Sequence, residues 1–348
     1  LTSSTKPSPS AAKAQSPIAQ WKPIVAEFQQ PSRWRACWQI TNTVGGYALL
    51  WYLIYLSRSV SWWLTIPLAI LAGGFVIRNF IIFHDCGHGS FFKSKRANTF
   101  WGFITGMLTF TPYHHWRWEH SIHHATSGHL DRRGVGDIWT MTVAEYNKSS
   151  RATKAFYRFM RNPILLFVIA PLVLMLVLQR FAARKASWRE RLSVWGMNLA
   201  VVAMSAGLIW VFGFLPWLII QLTITAVAGT CGVWLFYVQH QFEDVYWESG
   251  SDWDYTAAAI EGSSFYKLPR ILQWFSGNIG FHHIHHLSPR IPNYNLERCH
   301  NSHSMFTDVV PMTLLSSFKA ITYRLWDEES RKLISFRSYK ELEQNKAS

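Results

Sequence analysis

Residues 62–92 read "WWLTIPLAILAGGFVIRNFIIFHDCGHGSFF". From Trp62 to Phe83 the only charge is Arg78. A helix needs about 20 apolar residues to cross a bilayer, so this stretch reads as a span. It runs without a break into His84-x-x-x-His88. Residues i and i+4 share one helical face. A single helix therefore carries two imidazoles just beyond the membrane surface, and the fold reads as membrane helices that deliver side chains to one side.

The rest of the chain fits that reading. Of its 348 residues 49% are hydrophobic and only 16% charged, and it holds 19 Trp and 23 Phe. Further apolar runs cover residues 37–56, 193–212 and 216–238. Two shorter ones, 97–113 and 163–178, are interrupted or ended by Pro171 and Pro112. The loop 180–191, "RFAARKASWRER", is basic and belongs on the cytoplasmic side by the positive-inside rule. Four crossings, with the two short runs interfacial or re-entrant, keep all histidine clusters on that same side. One short run crossing alone would split the clusters; both crossing would strand the middle one outside. The expected architecture is an all-α integral membrane protein with four transmembrane helices, two interfacial or re-entrant segments and a cytoplasmic histidine-rich cap. Residues 1–33 read as a disordered leader, 34–336 as one domain and 337–348 as a tail. The net charge of +14 suits anionic lipid or an acidic protein partner, and no nucleic-acid motif is present. Four scattered cysteines form neither a disulfide framework nor a metal motif; Cys86, between two histidines, reads as a small packing residue.

Two more clusters follow the first: His120-x-x-His123-His124 and His282-x-x-His285-His286. With 15 histidines in the chain, chance supplies roughly 0.03 matches to such a pattern, so two are no accident. On a helix, i, i+3 and i+4 point one way, and each cluster aims three imidazoles at one place. Eight imidazoles exceed the needs of one ion and give two ions four nitrogens each. Neutral imidazole suits zinc, copper, iron and nickel, and spacing alone does not choose among them. Ligating histidines usually donate their second N–H to a carboxylate or carbonyl. Asp85, Glu119, Asp131, Asp137, Glu243 and Asp244 stand near enough in sequence to serve. His114, His115 and His283 lie close without fitting the spacing, and His129, His300 and His303 read as ordinary. Arg78 reads as a side chain that snorkels to the headgroups. A metal transporter is the non-enzyme alternative, but transporter sites lie near mid-bilayer and these clusters fall outside the apolar runs.

The three boxes, in this order and after paired spans, resemble those of the membrane fatty acid desaturases. The likeness runs from about Trp34 to Phe336 and is nearest to the bacterial acyl-lipid type. It is carried by "HDCGHGSFF", "WRWEHSIHHATSGHLDRRGVGDIWT", "VWLFYVQHQFEDVYW" and "GNIGFHHIHHLSPRIPNYNL". The resemblance implies two non-haem iron ions that use dioxygen to place a cis double bond in a fatty acyl chain, with no catalytic residue beyond the metal centre. It implies the ligands His84, His88, His120, His123, His124, His282, His285 and His286. A ninth, His240, matches a histidine at the end of the last span in animal acyl-CoA desaturases. Those enzymes hold a metal-bound water with an asparagine four residues earlier, where this chain has Phe236. Asn278 is the candidate substitute, and Asp85, Asp137 and Arg117 are candidates to orient ligands. Their first box also has one more intervening residue. The implied substrate is a lipid-linked acyl chain, and the implied location is a bacterial inner membrane. No haem module or dinucleotide fingerprint is seen, so electrons come from a separate carrier such as ferredoxin or cytochrome b5. The rival within the superfamily is a carotenoid hydroxylase or ketolase, or an alkane hydroxylase; the wording of the third box favours desaturation.

Overall fold

The computed structural model describes residues 21–347, and the chain is mostly helical. Helix α1 (Trp21–Ala26) continues through a 3-10 turn to Gln29. Residues 1–20 of the expected leader lie outside the described residues, and residues 21–33 depart from the expectation. Val25 and Phe28 are buried among Ile284, Leu287, Ile291 and Leu296. The polar composition of the leader hid these two apolar anchors. Ser32 then caps α2 (Arg33–Ile40) by accepting from Arg35 N–H. A π turn, Thr41–Gly45, joins it to α3 (Gly46–Ser57).

Ser61 starts α4 (Trp62–His88), which ends where Gly89 takes φ +72°, a left-handed stop that glycine adopts without strain. At 1.5 Å per residue α4 is about 40 Å long, some 10 Å more than a hydrocarbon core. The surplus carries His84 and His88. The next helix, α5 (Lys95–Leu108), is about 21 Å long and too short to cross. It lies against α4, with Gly106 close to the Phe83 ring. Then come α6 (Tyr113–Thr126), strand β1 (Met141–Thr142), α7 (Val143–Lys148) and α8 (Arg151–Met160). A π turn at Leu165–Ile169 leads into α9 (Ala170–Leu176), whose Pro171 packs against Gly229. The pair Arg151–Met160 and Leu165–Arg180 is bent by 59°.

The last long helices are α10 (Trp188–Phe212) and α11 (Phe214–His240). Gly73 lets α11 approach α4 so closely that a Cβ there would stand 2.7 Å from Val227 Cβ. Among the described residues three helices, α4, α10 and α11, are long and apolar enough to cross a membrane, or four if the bent pair counts as one span. The 37–56 stretch is helical but divided by its π turn.

The remainder alternates short pieces: α12 (Tyr255–Ile260), β2 (Phe265–Lys267), α13 (Arg270–Phe275), α14 (His282–Leu287), α15 (Asn293–His300) and α16 (Ser304–Thr307). Then follow β3 (Pro311–Thr313), α17 (Leu314–Ser317), β4 (Tyr323–Asp327), β5 (Lys332–Ser335) and α18 (Phe336–Ala347). An all-α fold was expected; among the described residues the structure adds two small sheets, β1-β4-β5 and the parallel pair β2-β3. Their strands are too short to show alternation in sequence. The expected tail is also corrected: residues 337–347 lie in α18, where Tyr339 sits edge-on to Tyr146 at 5.3 Å and donates to Asn147 Oδ1.

Candidate metal centre

Each histidine cluster ends up on a helix whose start or end is set locally. Helix α4 holds the first. Pro112 precedes α6, which holds the second. Phe281 precedes the single-turn-and-a-half α14, which holds the third and is wholly buried. His240 is the last residue of α11 and lies beside His123, His282 and His286.

Ring nitrogens of His84, His88, His120, His124 and His285 lie within 4.8 Å of one another, and so do those of His123, His240 and His286. His282 joins the second group, with its Nε2 2.9 Å from His240 Nε2. All nine expected histidines are thus brought into two adjoining groups. The middle cluster divides between them: His120 and His124 face one group and His123 the other.

Whether these residues fit metal ions is decided by their protons. His84 Nδ1 lies 3.1 Å from Asp85 Oδ1, His123 Nδ1 2.7 Å from Asp137 Oδ1, and His240 Nδ1 3.3 Å from the Gly262 carbonyl. Those oxygens only accept, so each Nδ1 is the donor and each Nε2 presents a lone pair. Yet His123 Nε2 faces His240 Nε2 at 3.3 Å. Two lone pairs at that distance repel unless a cation lies between them. His286 Nε2 is buried with no hydrogen-bond partner, in the same group. Burial pushes protonation of His120, His124, His282, His285 and His286 well below the usual range, and neighbouring imidazoles push it further. The site is therefore a set of neutral nitrogen donors, which is what a divalent transition metal takes.

The supporting carboxylates are themselves held. Asp85, 1% exposed, accepts at Oδ2 from the backbone N–H of Asn293 (2.6 Å) and from its side-chain amide (2.8 Å). Asp137 Oδ2 accepts from Gly134 N–H. Tyr255 donates to the carbonyl of His286 at 2.7 Å. Asn293 and Tyr255 were not anticipated; the only sequence signal for Asn293 was its place in the tail of the third box.

The other candidates fall elsewhere. Asn278 is a turn residue at φ +62°, accepting from Gln273 and donating to the Asn293 carbonyl, so its amide is occupied away from the histidines. Arg117 is exposed on α6. Arg78 does not snorkel freely: its Nε donates to Thr43 in the π turn, its Nη1 donates to the Trp274 carbonyl, and its guanidinium lies over the Trp274 ring. His283 contacts His300 at 3.2 Å, and burial lowers its protonation to about 3, leaving a neutral packing residue. His115 accepts from Ala183 N–H, which ties α6 to the basic loop. Phe236 lies 5.2 Å from both His123 and His240, between ring centroids. Beside it a cavity of about 20 Å³, lined also by Asp137, His240 and Gln241, has room for one water-sized molecule.

Comparison with known proteins agrees with this geometry. Residues 61–312 match the family model described as Fatty acid desaturase. The chain is 49% identical over 318 residues to a protein of Bacillus subtilis (strain 168) named "Fatty acid desaturase", covering 91% of this chain and 90% of that one. It is 27% identical over 270 residues to the "sn-1 oleoyl-lipid 12-desaturase" of Synechocystis sp. (strain ATCC 27184 / PCC 6803 / Kazusa), covering 74% and 71%. The "sn-1 acyl-lipid omega-3 desaturase (ferredoxin)" of the same organism is 28% identical over 266 residues, covering 73% and 69%.

Proposed function

Because the chain belongs to the fatty acid desaturase family, we propose that its nine clustered histidines hold two iron ions for oxygen-dependent desaturation of a lipid-linked acyl chain. The single observation that carries the metal assignment is the pair of facing lone pairs at His123 and His240, fixed by Asp137 and Gly262. His84, His88, His120, His124 and His285 are assigned to one ion, and His123, His240, His282 and His286 to the other. Bound iron supplies the oxidising power to remove hydrogen from an unactivated methylene pair.

The balance is R–CH2–CH2–R′ + O2 + 2 electrons + 2 protons → R–CH=CH–R′ + 2 H2O, with a cis product. In this scheme the protein's residues orient and exclude. Asp85 and Asp137 fix the tautomers of His84 and His123. The buried third box keeps bulk water from the reacting methylenes. The names of the cyanobacterial relatives support an acyl-lipid substrate, and one supports ferredoxin as donor; cytochrome b5 is the other carrier of suitable chemistry. The basic surface suits an acidic carrier. Four crossings are read here as 37–56, α4, α10 and α11, with 97–113 and 163–178 interfacial. They set the histidines on the cytoplasmic face of a bacterial inner membrane.

The test is fatty-acid profiling with double-bond location in a host that expresses the chain. New cis-unsaturated membrane lipid is expected, and it should vanish in His285→Ala with the protein still in the membrane. Hydroxylated products, or none, would refute the reading.

A further inference from the structure

Two short helices far apart in sequence share one end of the molecule. Strands β2 and β3 pair in parallel, Phe265 opposite Pro311 and Lys267 opposite Thr313. Both therefore leave the ribbon at the same end, β2 into α13 and β3 into α17. The depth of that end is fixed by what it touches. Phe275 packs edge-on to Phe75 at 5.6 Å and lies against Gly74, and Trp274 stacks on Arg78. Phe75 stands about 14 Å along the helix axis before His84. On the other side Phe318 meets Trp234 at 5.5 Å, about 9 Å before His240. Counted from Trp62, a hydrocarbon core of about 20 residues reaches past Phe75; counted from Phe214, it reaches to about Trp234.

At that depth the two helices turn apolar side chains outward. On α13 Ile271 is 72% exposed and Leu272 40%, and on α17 Leu315 is 82% exposed. Water would be a costly neighbour for such a patch. Its polar rim is cationic: Lys267 and Arg270, at the entrance to α13, are exposed.

Resting on the reading of α4 and α11 as membrane spans, we propose that α13 and α17 are buried in the lipid leaflet on the histidine side. There they contact lipid acyl chains directly, while Lys267 and Arg270 meet anionic headgroups. The patch continues the lipid-facing surface of the long helices to the foot of the third histidine box, so that a lipid-linked chain reaches the metal centre without leaving the leaflet. Neither helix is long enough to register as a membrane segment by hydropathy.

The wild-type protein is placed in vesicles of phosphatidylglycerol carrying a mid-chain diazirine, photolysed, and its adducts mapped by peptide mass analysis. Adducts are expected in 270–275 and 310–318 at a yield within about threefold of that in α10, where Trp210 is 87% exposed, and not in α18. Adducts in α10 with none in those two segments would overturn the proposal and leave the spans standing. Absence from α10 as well would remove both.

Discussion

Asn293→Ala isolates one link in the support of the metal centre. Asn293 is 2% exposed and donates twice to Asp85 Oδ2, from its backbone at 2.6 Å and its side chain at 2.8 Å. Alanine keeps the backbone donor and removes the amide. Asp85 therefore stays partly satisfied, and its Oδ1 still accepts from His84. A hydrogen bond to a charged acceptor contributes about 1.5–3 kcal/mol. Taking about 2 kcal/mol, the group that includes His84 should hold its ion roughly 30-fold less tightly. That falls within the 10–100-fold range usual for residues that support ligands. The second group, supported by Asp137, should be unaffected. Competition of the purified iron-loaded protein with a graded chelator at pH 7.5 reads this directly: one of the two ions should leave at about 30-fold lower chelator. Two ions retained as in wild type would refute the assigned role of Asn293, and equal loss of both would refute the separate support of the two groups.

Acid should release metal and loosen the fold. Burial lowers protonation of His120, His124, His282, His285 and His286 below the ordinary 6.5, so below that pH the unfolded chain binds protons that the folded one refuses. Stability then falls with falling pH, by about 1.4 kcal/mol per unit for each such group, and is flat above about pH 7.5; a thermal midpoint unchanged from pH 7.5 to 5.5 would contradict this. Phe28→Ala should destabilise by about 3–5 kcal/mol, the usual loss for a buried phenylalanine, and lower iron retention with it. Thermal unfolding in detergent checks the pair, and an unchanged midpoint would show that the strap from α1 does not support the third box. Turnover driven by ferredoxin should fall as salt rises, because screening weakens steering by the basic surface; steady-state rates from 20 to 300 mM salt measure it, and a flat response would remove that role.

The helical spacing of the histidines made eight of the nine site histidines legible, because i, i+3 and i+4 describe one face of one helix wherever that helix lies. The long apolar runs were legible for the same local reason. His240 was not visible from spacing and came only from likeness to a family. What stayed hidden depends on contacts between distant residues. Asn293 reaches Asp85 across 208 positions. Phe28 packs with Ile284 from a short apolar segment, residues 21–28, that follows twenty mostly polar residues and reads together with them. Arg78 looked like a snorkelling charge because its partners, Thr43 and Trp274, lie 35 and 196 positions away. Asn278 has the right residue type, but its positive φ and its bonds to Gln273 and Asn293 place it in a turn.

Mössbauer spectroscopy of protein purified after growth on iron-57 reads the centre itself. About two irons per chain, in an exchange-coupled pair with nitrogen-rich coordination, are expected. Uncoupled single iron, or a chain that turns over with no bound iron, would contradict the assignment of the nine imidazoles.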